Sequence, residues 1–416
     1  MRTMPAGPAR SLVLGGALVL PWFAAGAGGP DAQPAAHYPL AADTHRVYVA
    51  NESSDIVSRV AFVPGEGAFV EAEIPVGIMP ADNDGAHGIT VSPDGRYWYV
   101  TIAHGTPYGA VWQFHAGPDT LVGRTDLGLF PATMGVSPDG RFLMVVNFNL
   151  HGDMVPSDVS VVYTPDMMEV ARVETCLMPH GSRVNAGGTH QYSVCMRSDQ
   201  LVEMDLSTFS VTGRFAVTPG HEAPLDLDPS TDASPVKHTG ARAPEGRGTG
   251  EPEASPATAK PPAGAAPCSP TWAEPGLGSG ADRLVYVACN RNAEVLEVDA
   301  ETWEVVRRFP TGAGPYNMDV TADGRLLVAT LKSSQAIAVF DVRRGEEIAR
   351  LATTRPVTHG VVISPDGRYA FVTNEAVGGV RGTLDVFDLE AQERVASVEL
   401  GHQSGGIDYW GGPPPD

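Results

Sequence analysis

An all-β chain closed into a ring of repeated four-stranded units is what this sequence predicts, and three observations predict it. One pentapeptide recurs: Ser92-Pro93-Asp94-Gly95-Arg96, Ser137-Pro138-Asp139-Gly140-Arg141 and Ser364-Pro365-Asp366-Gly367-Arg368. Thr321-Ala322-Asp323-Gly324-Arg325 is a close variant and Asn185-Ala186-Gly187-Gly188 a looser one. Each turn feeds an apolar strand, as in Tyr97-Trp98-Tyr99-Val100 or Phe142-Leu143-Met144-Val145, then an alternating strand that ends in Asp. The 47 glycines and 36 prolines make up about a fifth of the 416 residues, which argues for many turns and against a helical bundle.

The turn has a mechanism. Proline presets φ and glycine accepts φ > 0, so Pro-Asp-Gly between two apolar runs closes a tight hairpin. Four short strands in about 40–45 residues is the unit of a β-propeller blade. Units fall near 79–127, 129–175, 178–217, 268–311, 313–353 and 355–399, after a partial unit at 45–77 that lacks its inner strand. The chain ends on a lone inner-type strand, Gly406-Ile407-Asp408-Tyr409-Trp410. Pairing it with the first unit completes a seven-bladed β-propeller of four-stranded antiparallel blades over 45–410 and leaves no open sheet edge.

The remaining segments fall outside this pattern. Residues 1–27 read as a secretory signal: Arg2 and Arg10 form a basic region, Ser11–Ala25 is apolar, and Ala25-Gly26-Ala27 fits cleavage. The apolar stretch is shorter than the roughly 20 residues of a spanning helix, so no membrane anchor is expected after cleavage. Residues 28–44 are a lead-in and 411–416 a tail. Residues 219–267, between the fourth and fifth blades, are rich in Pro, Ala and Gly and lack apolar periodicity, so a disordered insertion is expected. It leaves and re-enters the ring on the face that carries the inner-strand starts, where it could act as a mobile lid. The net charge of −21 argues against a nucleic-acid partner. The chain is expected to be periplasmic or secreted.

Tyr48-Val49-Ala50-Asn51, Tyr99-Val100-Thr101-Ile102, Tyr286-Val287-Ala288-Cys289-Asn290 and Phe371-Val372-Thr373-Asn374 resemble the YVTN-type β-propeller repeat of the YncE-like and lactonase-like exported propellers. The resemblance spans about 45–410 apart from the insertion. It implies the fold and selects no activity. The propeller of nitrous oxide reductase is more distantly similar and holds copper on a ring of histidines. This chain lacks an adjacent His-His pair and the cupredoxin tail of that enzyme.

Register sorts the histidines. His87, His180 and His359 each stand six residues before the second turn position, at Pro93, Ala186 and Pro365, and each precedes a glycine. All three therefore start inner strands near the central channel, where Ala132 and Tyr316 occupy the same register in other blades. His104 and His151 lie in second-to-third-strand loops on the same face. Imidazole ligates copper, zinc, iron and nickel. Met134, Met154 and Met178 lie near this face, and thioethers favour Cu(I). The expected site is thus a metal, copper foremost, held by His87, His180 and His359 with His104 and His151 above them. The expected role is redox or metal handling. Two other readings stand beside it: a scaffold that docks a protein partner on the channel-mouth face, and a lactonase-like hydrolase using a divalent cation. Asp82, Asp84, Asn147, Asn149, Asp153, Asn374 and Glu375 are polar groups near the mouth that such a cation would draw on. His45, His115, His190 and His402 are read as structural.

Cys176 and Cys195 are 19 residues apart and Cys268 and Cys289 are 21 apart, each pair nearly symmetric about a hairpin. With export to an oxidising compartment, the pairings Cys176–Cys195 and Cys268–Cys289 are expected. The rival is a thiolate metal site with His180 and Met178.

Overall fold

Seven apolar clusters, one in each gap between neighbouring blades, hold the ring. Each arises because blade strands alternate, and each sheet buries both faces against its two neighbours. The structure is a computed structural model that describes residues 43–78, 82–104, 109–227, 234–235, 256–258, 260–278 and 280–412. The signal segment 1–27, nearly all of the lead-in and residues 413–416 lie outside the described residues.

The inner strands are Ala86–Val91, Pro131–Val136, Pro179–Val184, Pro270–Pro275, Pro315–Val320 and Thr358–Ile363 in blades 2 to 7. Blade 1 is built from both ends of the ring: Ser404–Tyr409 is its inner strand and pairs with His45–Asn51, followed by Ile56–Val63 and Gly67–Pro75. The closing strand is therefore the one the sequence supplies. Neighbouring inner strands touch all the way round the channel, from blade 1 through blade 7 and back.

The repeated pentapeptide locks each turn in the same way. Ser92 Oγ donates to Asp94 Oδ1 at 2.6 Å and accepts from Tyr97 N at 2.9 Å, while Gly95 takes φ 68°. Ser137–Asp139, Thr321–Asp323 and Ser364–Asp366 repeat the contact. The threonine of the YVTN-type repeat joins blades. Thr373 Oγ1 accepts from Gly360 N at 2.8 Å in its own blade and donates to Gly405 O at 2.6 Å in the next. Thr101 makes the same bridge to Ala132 O, and Thr330 to His359 O. The asparagine ties the second strand to the third: Asn147 Nδ2 donates to Ser160 Oγ at 2.8 Å, and Asn374 Nδ2 to Asp385 Oδ2 at 3.0 Å.

Both disulfides form. Cys268–Cys289 spans a Cα separation of 4.6 Å beside the first two strands of blade 5. Cys176–Cys195 spans 5.9 Å, and it links two blades, because Cys176 ends the outer strand of blade 3. A thiolate metal site is thereby removed, since no free cysteine remains. Within 219–267, Ala223–Pro224 adds to the outer strand of blade 4 and Ser234–Pro235 to that of blade 3.

Candidate functional site at the channel mouth

One backbone device sets the register of the channel. The residue before each inner strand has positive φ: Gly85, Phe130, Met178, Ser269, Gly314, Val357 and Gln403 lie between 50° and 74°. This left-handed residue turns the chain from the blade connection into the channel. Two positions later stand His87, Ala132, His180, Thr271, Tyr316, His359 and Gly405. Ala132 and Gly405 contribute almost no side chain, so the rings of the other blades meet across the axis. Tyr316 lies 4.5 Å from His359 and 5.6 Å from His180, centroid to centroid, and His87 lies 6.3 Å from His359. His87, His180 and His359 line one axial cavity of about 30 Å³, with Thr133, Met134 and Asn317 in its wall. The glycine after each histidine is needed for close approach. A Cβ on Gly88 would sit 2.0 Å from Ala132 O, and one on Gly181 would sit 2.2 Å from Thr271 O.

The imidazoles are individually tied. Glu52, in the short loop after the first described strand, accepts from His87 Nδ1 at 2.9 Å and from His104 Nε2 at 2.7 Å. Burial alone would raise its carboxyl. The facing charge of His87 and the hydrogen bonds from His104 and His87 outweigh this and hold it well below the usual carboxylate range. The bond from Glu52 raises His104 against the opposing effect of burial. His180 donates from Nδ1 to Thr271 O at 2.9 Å and accepts at Nε2 from Tyr316 Oη at 3.2 Å. Burial lowers it to about 3, so it is neutral. His359 is likewise lowered by burial. Its Nε2 lies 3.3 Å from Glu375 Oε1, which also accepts from Lys332 Nζ at 2.9 Å. Its Nδ1 is buried with no hydrogen-bond partner among the described residues, as is Asn317 Oδ1.

The expected ligand set is thus brought together only in part. His87, His180 and His359 meet on the axis. His180 has both ring nitrogens engaged, so it is a wall of the cavity and not a ligand as it stands. His104 and His151 form a second group nearer solvent, 5.7 Å apart and both packed edge-on to Phe130. Met134 reaches the axial cavity, whereas Met178 packs against the Phe130–Phe148 cluster and Met154 is exposed. Among the described residues no three His, Cys, Asp or Glu groups stand together as a ready metal centre. Of the polar groups a hydrolase would draw on, three have structural partners. Asp84 accepts from Ile78 N, and Asn147 and Asn374 brace third strands.

Three participants were not legible. Glu52 precedes the first complete repeat and has no register partner. Lys332 follows a strand end, and its cation lies 4.1 Å over the Tyr316 ring. Asn317 stands where four of the other blades carry glycine. Rarity was the available signal for Lys332, one of three lysines in the chain.

Three residues farther along each inner strand, a second layer closes the opposite end of the channel. Arg183 Nε lies 3.5 Å from Glu274 and its guanidinium stacks 4.5 Å over Trp272. Asp319 accepts from Ile363 N at 2.6 Å and Asp408 from Val91 N at 2.8 Å, each clamping the next blade. Burial raises the carboxyls of Glu274, Asp319 and Asp408.

Ring, register and histidine-bearing mouth define the class: a seven-bladed β-propeller with an axial side-chain site. The chain belongs to the YncE-like β-propeller family, whose profile matches residues 47–368. Among solved structures it is similar to the hydrazine synthase of Kuenenia stuttgartiensis, at 16% identity over 76% of this chain and 81% of that one, with TM-score 0.51. It is also similar to the dihydro-haem d1 dehydrogenase NirN in complex with DHE, at 16% identity over 88% of this chain and 75% of that one, with TM-score 0.54. These two likenesses are of fold alone. No curated protein sequence matches the chain.

Proposed function

We propose that this chain is an exported propeller that binds a transition-metal ion, copper in preference, on the channel axis between His87 and His359, in redox chemistry or metal handling. The observation that carries the reading is the carboxylate behind each imidazole. Glu52 holds His87 through Nδ1, and Glu375 faces His359 Nε2. Metal-ligating histidines are oriented by such a partner on the other nitrogen. That leaves His87 Nε2 and the unpartnered His359 Nδ1 for a ligand.

The donor set fits a soft ion of low coordination number. An ion about 2.0–2.1 Å from each of two imidazole nitrogens leaves the ring centroids roughly 5–6.5 Å apart, and the 6.3 Å between His87 and His359 lies within that span. Asn317 Oδ1 and the Met134 thioether line the same cavity. Nitrogen and thioether donors favour copper, Cu(I) above all. The signal-like residues 1–27 and the two disulfides support export, and among the described residues no helix is long and apolar enough to cross a membrane.

Elemental analysis of the full chain recovered from the periplasm tests this, with the double variant His87→Ala/His359→Ala as control. Stoichiometric copper that is lost in the double variant is expected; unchanged metal content in that variant overturns the site. A second reading is favoured by exposed apolar residues on the mouth-face loops, among them Ile78, Leu129, Leu150, Val155 and Val377. A protein that binds no metal and whose mouth face retains a partner would establish the docking role instead.

A further inference from the structure

The histidines of the mouth form two pairs, and the pairs lie at different depths. His151 is exposed. The side chain of His104 is 29% exposed, that of His87 14% and that of His359 8%. The outer pair, His151 and His104, has ring centroids 5.7 Å apart, within the same span that one shared ion imposes. Glu52 joins the pairs by holding His104 with one oxygen and His87 with the other. Phe130 packs edge-on against His87, His104 and His151 at 5.2, 4.9 and 5.6 Å, so the three rings are steered by one apolar wall.

We infer that His151 and His104 form an outer entry site for a transition-metal ion bound for the axial pair His87 and His359. The inference rests on the metal-binding reading above and adds the point of entry. Hydrogen-bond geometry leaves His104 and His87 one ring nitrogen each for a metal, on the side away from Glu52. His104 is held to Glu52 through Nε2, so Nδ1 remains; His87 is held through Nδ1, so Nε2 remains. The transfer is ligand exchange: one metal–nitrogen bond forms as another breaks, with no change of oxidation state. Glu52, bonded to both rings, orients the outer and the axial site together. Met154, exposed in the same loop as His151, adds a thioether at the entrance.

Stopped-flow transfer of Cu(I) from a chromophoric chelator to the metal-free full chain tests the entry site. With His151→Ala, uptake is expected to slow several-fold while final stoichiometry and affinity stay at the wild-type level. With His359→Ala, loss of stoichiometric uptake is expected whatever the rate. His151→Ala loading at the wild-type rate overturns the entry site and leaves the axial reading standing. His151→Ala losing stoichiometric uptake also overturns it, because His151 would then be a ligand of the final site. A wild-type chain that takes no Cu(I) overturns the axial reading, and the entry site with it. His151 is exposed, so its variant folds, which far-ultraviolet dichroism checks.

Discussion

Glu52 and His104, separated by 52 positions in sequence, meet at 2.7 Å in the channel mouth, and the other oxygen of the same carboxylate holds His87. A loop of blade 1 thereby fixes two imidazoles of blade 2.

This clamp has a pH signature. The carboxyl of Glu52 is lowered on folding, so its contribution is present above its ordinary value of 4.5 and lost as pH falls through the lowered one. His104 is raised, so its contribution is full below 6.5 and lost as pH rises through the raised value. The clamp is therefore strongest between those ordinary values and weakens on either side of them. Glu52→Gln should cost about 2 kcal/mol in that window and remove the weakening on the alkaline side. Chemical denaturation over a pH series compares the two proteins.

His180 behaves in the opposite sense. Its folded form is neutral and lowered to about 3, so stability is full above 6.5 and falls as the pH drops toward 3 and the unfolded chain binds the proton first. His180→Gln keeps a donor toward Thr271 and removes the titrating ring. Its acid-side stability curve should be shallower than that of the wild type, read in the same denaturation series.

The threonine bridge across the closing seam is testable by shape. Thr373→Val leaves Gly405 O and Gly360 N without their hydroxyl partner and should cost about 1–3 kcal/mol. Thr373→Ser retains the hydroxyl and should cost clearly less. Equal losses in thermal melts would remove the bridge as the reason for threonine here.

The Cys268–Cys289 bridge fastens the first strand after the insertion. Replacing both cysteines by alanine should lower stability by about 3 kcal/mol, with the ring still closed by Ser404–Tyr409. Thiol titration of the unfolded wild type should detect no free thiol, since all four cysteines are bridged.

Local chemistry makes the fold readable in the sequence. Ser-Pro-Asp-Gly-Arg is a self-contained turn whose serine, aspartate and glycine satisfy one another. Strand alternation is equally local. Repetition of both along the chain gave blade number, register and the closing strand. The same register placed His87, His180 and His359 on one axis, and spacing paired the cysteines, although Cys176–Cys195 joins two blades and only Cys268–Cys289 spans one hairpin.

What the sequence by itself determined, then, is the ring, its seven blades, its two disulfides and the depth of each inner-strand histidine. Only the tertiary structure decided what those histidines do with their nitrogens. Glu52, Tyr316 and Thr271 come from blades other than those of the rings they hold and meet them only when the blades assemble, whereas Glu375 meets His359 across the hairpin of its own blade. Their contacts occupy both nitrogens of His180 and leave one on His87 and on His359. The physical reason is that a hydrogen bond depends on a few tenths of an ångström and on direction, whereas register fixes only the layer in which a side chain lies.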